Sequence, residues 1–236
     1  MKFNLNVVFH EIAESEKHIN SRYTVGLMFF ESLLTTLRRF LINQHRIQQI
    51  RLYFDDNHAS CRHFAMAAVA RTPFIGVAAV PVDSIGRSGY CSIEELRLLR
   101  QGGFEVLPHG FSHTALAIYE NGILLTTANG GLYRKMPMGK EIALTEQEVL
   151  FQLTESKRSL KEFAPVEFVL PYGLYNDKTI AINAVSDIYQ RLATCDPFLD
   201  SGENLRPRIL ITNDITIDET MRLIRNLLPR PSAQIY

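Results

Sequence analysis

The chain has 236 residues, of which 46% are hydrophobic and 21% are charged, a composition typical of a folded globular protein. Basic and acidic residues balance at 25 each, so no global charge favours binding to nucleic acid or to an anionic membrane. No run of about 18 apolar residues predicts a membrane-spanning helix. The polar start of the chain is unlike a signal peptide, and we expect a cytoplasmic protein.

Short apolar segments rich in β-branched and aromatic residues alternate with helical patterns along the chain. We predict strands at residues 3–9, 50–54, 74–80, 104–107, 166–170, 191–195 and 208–212. Because repeated strand-helix units form parallel strands joined by right-handed crossovers, the predicted fold class is α/β. Seven such units favour a barrel over an open sheet. No linker divides the chain, so residues 1–236 are predicted to form one domain.

The helical segments carry their own start signals. In three of them a Ser or Thr precedes a Glu by three residues, the pattern of a capping box. These pairs are Ser92 with Glu95, Thr145 with Glu148, and Thr216 with Glu219. The alternation breaks at residues 117–144, where Asn129-Gly130 predicts an inserted β-hairpin near residues 120–135. Such a hairpin would cover one barrel end, contact substrate or mediate dimerisation, and the sequence leaves these roles open.

Functional groups of β/α barrels lie just beyond the carboxyl ends of the strands. In this chain those positions are rich in histidine and carboxylate side chains. They hold His10, Asp55, Asp56, Asn57, His58, His109, His113, Pro171, Tyr172, Gly173, Asn213 and Asp214. Because random placement would scatter the histidines, the pattern indicates a site at this end of the predicted barrel.

The adjacent carboxylates Asp55 and Asp56 follow a buried-strand pattern and would repel each other unless a cation favours their ionised forms. A solvated turn capped by an aspartate is the alternative. His109 and His113 are four residues apart, and on a helix or helical turn both imidazoles would share one face. Two histidines and one carboxylate leave coordination positions open, as in a catalytic site for zinc or a similar divalent ion.

Three motifs resemble those of the NodB-homology polysaccharide deacetylases, carbohydrate esterase family four. They are Phe54-Asp55-Asp56, the spaced pair His109 and His113, and Leu170-Pro171-Tyr172-Gly173. The opening of the chain is similar to the branch that contains poly-N-acetylglucosamine deacetylases. It contains Phe9-His10-Glu11-Ile12, Tyr23-Thr24-Val25 and Phe30-Glu31. The resemblance extends over roughly residues 5–215, and the predicted hairpin fits it least.

The resemblance implies a single distorted (β/α)7 barrel and a hydrolase that removes an N-acetyl group from an acetylated amino sugar. Asp55 would be the general base, and Asp56, His109 and His113 would hold a divalent metal ion, with zinc expected. The backbone amide of Tyr172 would stabilise the oxyanion. Pro171, Gly173 and Asn57 are predicted to contact the substrate. The oligomeric state, including a homodimer, is left open.

The chain departs from the family pattern at three places. Asn57 stands where glycine is frequent, although Asn tolerates left-handed backbone. Leu170 stands where an arginine often orients the base. No histidine follows His113, so the usual general acid is missing. The substitutes considered are His10, His58, Asp214 and a protonated Asp55, and we predict His10.

Because of these departures, the sequence is compatible with three functions. The first is an active metal-dependent deacetylase, which we predict. The second is a catalytically degenerate carbohydrate-binding protein on the same fold, favoured by Leu170 and by the missing acid. The third is a metal hydrolase for another substrate class, such as a non-sugar amidase or a phosphoesterase. Turnover of small N-acetylated sugars separates the first from the second, and substrate range separates the first from the third.

Overall fold

The computed structural model describes residues 3–116, 119–120, 123–124, 144–197 and 204–228. Its strands are β1 Phe3–Phe9, β2 Glu11–Ala13, β3 Thr24–Gly26, β4 Ile47–Phe54, β5 Ile75–Val80, β6 Glu105–Pro108, β7 Tyr119–Glu120, β8 Ile123–Leu124, β9 Glu167–Val169, β10 Arg191–Ala193, β11 Leu205–Arg206 and β12 Ile209–Leu210. Its α-helices are α1 Leu27–Ile42, α2 Met66–Val69, α3 Ile93–Gln101, α4 Glu146–Ser159, α5 Asp177–Val185 and α6 Ile217–Leu227.

Two parallel sheets form the centre of the described structure. One has five strands in the order β12-β1-β4-β5-β6, and the other has three in the order β11-β10-β9. The predicted α/β class with parallel strands is therefore confirmed. Strand β6 of the first sheet lies beside β9 of the second. One apolar cluster joins residues of both sheets, among them Val8, Tyr53, Leu107, Val169 and Ala193. Closure of the two sheets into one barrel stays a prediction.

The strand register brings the carboxyl ends of four strands to one edge. Phe9 pairs with Phe54 across β1 and β4, so His10 and Asp55 leave the sheet side by side. Val80 pairs with Pro108 across β5 and β6, which places His109 at the same edge. Each predicted strand is present, but the last shrinks from residues 208–212 to Ile209–Leu210. The register thus gathers the candidate site residues from distant parts of the sequence.

The helices form where the sequence signals predict them. Ser92, Thr145 and Thr216 each accept a hydrogen bond from the third helical amide, and the matching glutamates reach back, so the three capping boxes are confirmed. Helix α1 buries the stripe Phe30, Leu33, Leu34 and Leu37 against the core. This burial anchors the helices and leaves the loops at the carboxyl edge to carry the polar groups.

The predicted hairpin region is described in part. Strands β7 and β8 pair antiparallel through Tyr119 with Leu124 and Glu120 with Ile123. The pairing precedes the predicted Asn129-Gly130 turn, which lies outside the described residues. Within the described part of the chain, each helix is too short or too polar to cross a bilayer.

Candidate active site

The loop after β4 separates the two adjacent carboxylates. Asp55–Asn57 form a tight turn in which Asp56 and Asn57 adopt left-handed backbone, with φ of 70° and 62°. Asp and Asn tolerate this region better than most residues. As a result Asp55 is 1% exposed, while the Asp56 side chain turns toward the histidines and is 34% exposed. The predicted crowding of two carboxylates at a strand end is relieved by this change of direction.

The Asn57 side chain ties the loop after β4 to neighbouring segments of the chain. Its side chain is buried and donates hydrogen bonds to Ser84 Oγ and to the Cys91 carbonyl oxygen, both at 3.1 Å. The left-handed conformation expected for Asn57 is confirmed. The predicted substrate contact of Asn57 has no support in this burial.

A loop brings the two histidines together, and the helix or helical turn considered for residues 109–113 is not formed. Gly110 and His113 both have positive φ, 83° and 50°, which no α-helix allows. The Gln152 side-chain oxygen holds the loop by accepting from the amides of Phe111 at 2.8 Å and Ser112 at 3.1 Å. The two imidazole centroids lie 4.8 Å apart. The left-handed backbone at Gly110 and His113, rather than a helix, therefore brings the two imidazoles together.

Asp56, His109 and His113 form the group of side chains that could hold a metal ion. The Asp56 Oδ1 atom lies 3.4 Å from His109 Nε2 and 3.0 Å from His113 Nε2. Zinc bonds of about 2.1 Å in tetrahedral geometry place ligand atoms roughly 3.3 Å apart. The His109 Nδ1 atom lies 2.9 Å from the Val169 carbonyl oxygen, which only accepts, so Nδ1 carries a hydrogen. When the His109 imidazole is neutral, its Nε2 lone pair therefore faces the Asp56 carboxylate oxygen. Two electron-rich atoms repel each other, and a cation bound between them would remove this repulsion.

The electrostatics of this cluster favour ionised carboxylates. Burial raises the pKa of Asp56, but its interactions with the His109 and His113 imidazoles outweigh burial and place the pKa well below the ordinary value. Burial lowers the pKa of His109, while the charges of Asp55 and Asp56 raise it, and the net direction is upward. The site is therefore a concentration of negative charge that prefers a cation near the imidazoles.

Arg208 is the main partner of Asp55, and the sequence interpretation missed it. Its Nη1 atom donates to both oxygens of Asp55, at 2.9 and 3.0 Å, and its side chain is fully buried. Burial raises the pKa of Asp55, yet Arg208, followed by His109 and His10, brings the pKa below the ordinary value. Leu170, which stands where the family motif often has an arginine, is buried in an apolar cluster. An arginine inside an otherwise apolar predicted strand was the available signal.

Arg208 packs against a chain of buried polar side chains. The Arg208 guanidinium carbon lies 4.9 Å from the centroid of the Tyr53 ring. The Tyr53 hydroxyl donates to Glu167 Oε1 at 2.6 Å, and Glu167 Oε2 lies 2.7 Å from Arg206 Nε. Negative and positive side chains thus alternate through the interior, in the order Asp55, Arg208, Glu167 and Arg206. This alternation makes the burial of several charges tolerable.

His10 faces the candidate site from the end of β1. Burial lowers its pKa, and the charges of Asp55 and Asp56 partly oppose that effect. Its ring packs on Tyr23, with centroids 4.9 Å apart, and within the described residues its buried Nδ1 atom has no hydrogen-bond partner. Because Phe9 pairs with Phe54, His10 and Asp55 follow neighbouring strands at the same edge of the sheet.

The other two residues considered as proton donors are engaged elsewhere. His58 Nε2 lies 3.6 Å from a carboxylate oxygen of Glu11, and its ring packs on Tyr90. Asp214 accepts a hydrogen bond from Thr212 and pairs with Arg22, and these contacts lower its pKa. A carboxyl group with a lowered pKa holds no proton at neutral pH.

The Pro171–Gly173 turn brings Tyr172 to the histidine loop. Tyr172 has φ of 59°, and its hydroxyl lies 2.9 Å from His113 Nδ1. Gly173 has φ of 68°, and a Cβ atom there would lie 2.6 Å from the Cys195 backbone nitrogen. Pro171 and Gly173 are buried, so their predicted substrate contacts have no support in exposure. These two residues fix the direction of Tyr172.

No protein-family model and no curated protein matches the chain by sequence. Solved structures match nearly all of it. The deacetylase PplD from Streptococcus pyogenes, solved in complex with acetate, has 16% identity and a TM-score of 0.69 over 94% of this chain and 97% of its own. IcaB from Ammonifex degensii has 17% identity and a TM-score of 0.68 over 94% and 97%.

A third similar structure is BC0361, a polysaccharide deacetylase from Bacillus cereus. It has 16% identity and a TM-score of 0.68 over 94% of this chain and 68% of its own. At such identities the likeness shows a shared fold. The resemblance to polysaccharide deacetylases that the three motifs indicated is confirmed at that level.

Proposed function

We propose that the protein is a metal-dependent hydrolase that removes an N-acetyl group from an acetylated amino sugar. The observation that carries the proposal is the pairing of a buried Asp55, held ionised by Arg208, with the Asp56, His109 and His113 cluster. A base and a candidate metal site lie side by side at the carboxyl edge of a fold shared with polysaccharide deacetylases. Residues 1–236 would form one such domain, with both sheets in a single distorted barrel.

Asp56, His109 and His113 would hold the divalent ion, and zinc suits one carboxylate and two imidazoles. When bound, the ion would polarise the amide carbonyl and lower the pKa of a water molecule from about 15.7 to about 7. Three protein ligands leave room for water and substrate, which distinguishes a catalytic from a structural zinc site.

Asp55 would accept the proton of the attacking water. Its pKa lies below the ordinary value, so the carboxylate is ionised and able to accept at neutral pH. The water oxygen bonds to the acetyl carbon, and the resulting oxyanion would receive a hydrogen bond from the Tyr172 backbone amide. One such donor contributes roughly 3 kcal/mol to transition-state stabilisation.

His10 would deliver a proton to the leaving nitrogen as the carbon–nitrogen bond breaks. An unprotonated amine anion is too poor a leaving group, so the reaction requires a donor. Burial lowers the pKa of His10, so its imidazolium is a stronger acid than an exposed one, while the charges of Asp55 and Asp56 favour protonation of the ring. The products are acetate and a free amine. Acetate is the molecule that the similar PplD structure contains.

The two features that favoured a degenerate protein have counterparts in the structure. Arg208 occupies the place beside the base that Leu170 cannot fill. His10, at the end of the neighbouring strand, follows Phe9 beside Asp55 and offers a histidine where the last strand has none. These contacts support the active enzyme over the binding protein.

The proposal is tested by acetate release. Zinc-reconstituted protein is incubated with N-acetylglucosamine oligomers, and acetate is quantified beside Asp55→Asn as the inactive control. We expect release by the wild type alone. Hydrolysis of acetylated non-sugar amines but not of the oligomers would indicate an amidase. Binding of the oligomers without release would indicate the degenerate protein.

A further inference from the structure

Both histidines of the candidate metal site are held through the ring nitrogen that faces away from Asp56. His109 Nδ1 lies 2.9 Å from the Val169 carbonyl oxygen, and His113 Nδ1 lies 2.9 Å from the Tyr172 hydroxyl. Both Nε2 atoms face Asp56 Oδ1. The two imidazoles therefore present the same nitrogen to the same point, but their outer partners differ in kind.

We propose that the Tyr172 hydroxyl orients the His113 imidazole for metal binding, so that the side chain of Tyr172 tunes metal affinity independently of its backbone amide. The inference rests on the proposed function in taking Asp56, His109 and His113 as the metal ligands. With Nε2 bound to a cation, the hydrogen of His113 must lie on Nδ1 and be donated to the tyrosine oxygen. Outer partners of this kind fix the tautomer and the ring direction.

His113 needs such a partner more than His109 does. His109 is 1% exposed and its Nδ1 atom meets a backbone carbonyl oxygen, whereas the His113 side chain is 26% exposed and its own backbone is left-handed. An imidazole in that position can rotate about its side-chain bonds unless a neighbour holds it. The Tyr172 ring packs against it, with centroids 4.4 Å apart and planes inclined by 46°. Packing and hydrogen bond together restrict the ring to one orientation.

The backbone gives Tyr172 a fixed direction of its own. Its left-handed conformation stands between the buried Pro171 and Gly173, and Gly173 packs directly against the Cys195 backbone. The phenol is partly exposed, yet the turn that carries it is anchored on both sides. This rigidity allows a single hydroxyl to position a ligand from a separate loop.

The matched test compares Tyr172→Phe with Tyr90→Phe. Tyr172→Phe keeps the ring and the backbone amide and removes only the hydroxyl. Tyr90 is also partly exposed and packs on a histidine, but that histidine is His58, outside the metal group. Zinc dissociation constants are measured by chelator competition without substrate, after circular dichroism shows folded protein. We expect zinc affinity to fall roughly 10- to 100-fold in Tyr172→Phe and to stay unchanged in Tyr90→Phe.

A spectroscopic measurement separates orientation from general loosening. In the zinc form of the wild type, the Nδ1 proton of His113 is expected as a slowly exchanging resonance, which Tyr172→Phe broadens while that of His109 persists. Unchanged zinc affinity in Tyr172→Phe, an equal loss in Tyr90→Phe, or no zinc binding by the wild type would overturn the inference. A wild type that binds zinc yet releases no acetate would refute the proposed function alone.

Discussion

Arg208 holds Asp55 through hydrogen bonds from one guanidinium nitrogen to both carboxylate oxygens, at 2.9 and 3.0 Å. The arginine is itself fixed, because its Nε atom donates to the Thr194 carbonyl oxygen at 2.9 Å. Its side chain is fully buried, and that of Asp55 is 2% exposed. The orientation of the candidate base is thus decided by a residue more than 150 positions away in the sequence.

Arg208→Lys should slow the proposed hydrolysis without removing the metal site. Lysine keeps the charge but lacks the planar fork that fixes both the carboxylate and the Thr194 carbonyl. We expect kcat to fall roughly 100-fold from misplacement of Asp55. Arg206→Lys is the control, because Arg206 contacts Glu167 rather than Asp55. Steady-state kinetics with zinc content check both variants, and an equal loss of kcat in the two would count against a specific role for Arg208.

The Asp55–Arg208 pair should make metal-free stability depend on acid pH. The pKa of Asp55 is lowered on folding, so its stabilising effect is complete above the unfolded value of about 3.9 and is lost as pH falls through the folded value. Asp55→Asn should destabilise the chelator-treated protein by about 3 kcal/mol at pH 7, because Arg208 loses its counter-charge. Urea unfolding should show this gap constant down to about pH 4 and shrinking below it. A gap that widens in acid would contradict the assignment.

The two adjacent aspartates should differ in what they support. Asp55→Asn should abolish hydrolysis and retain zinc, since the change is isosteric and removes the proton acceptor. Asp56→Asn should lose zinc, because Asp56 Oδ1 is the atom that both imidazole Nε2 atoms face. Elemental analysis and acetate assays on the same preparations measure both effects. Identical behaviour of the two variants would show that the division of roles is mistaken.

His10→Gln should lower turnover by roughly tenfold or more, because the other side chains considered as donors, His58 and Asp214, pair elsewhere. It should also remove a basic-side pKa from the rate profile and leave zinc content unchanged. His58→Gln is the matched control, since His58 pairs with Glu11 outside the metal cluster. A wild-type rate in His10→Gln would transfer the acid role to Asp55, which would return the proton that it accepts from the attacking water.

Gly173→Ala should destabilise the protein more than Gly86→Ala. Both glycines have positive φ, 68° and 76°, so alanine is strained at either position by about 1 kcal/mol. At Gly173 the added Cβ would also lie 2.6 Å from the Cys195 nitrogen, whereas nothing lies within 4 Å at Gly86. We expect a further loss of about 2 kcal/mol at Gly173 from overpacking. Equal unfolding free energies for the two variants would show that the Pro171–Gly173 turn can shift away from Cys195 at no cost in stability.

Local sequence patterns determined the strands, the helices and the set of residues at the candidate site. Strand composition, the capping boxes headed by Ser92, Thr145 and Thr216, and the apolar stripe of α1 each depend on residues close in sequence. The structure reproduces them for that reason. The parallel register followed from the alternation of strands and helices, and it placed Asp55, His109 and His10 at one edge. The sequence patterns located the candidate site, and the resemblance to the deacetylase motifs assigned the candidate base and metal ligands within it.

Only the tertiary structure decided how those residues are held. His109 and His113 meet through a loop with left-handed backbone at Gly110 and His113, and residue spacing does not reveal such a conformation. The pairing of Arg208 with Asp55 arises from contacts across the interior between residues far apart in the chain. No periodicity encodes such a contact, since its energy depends on burial and on geometry that exist only after the strands have assembled.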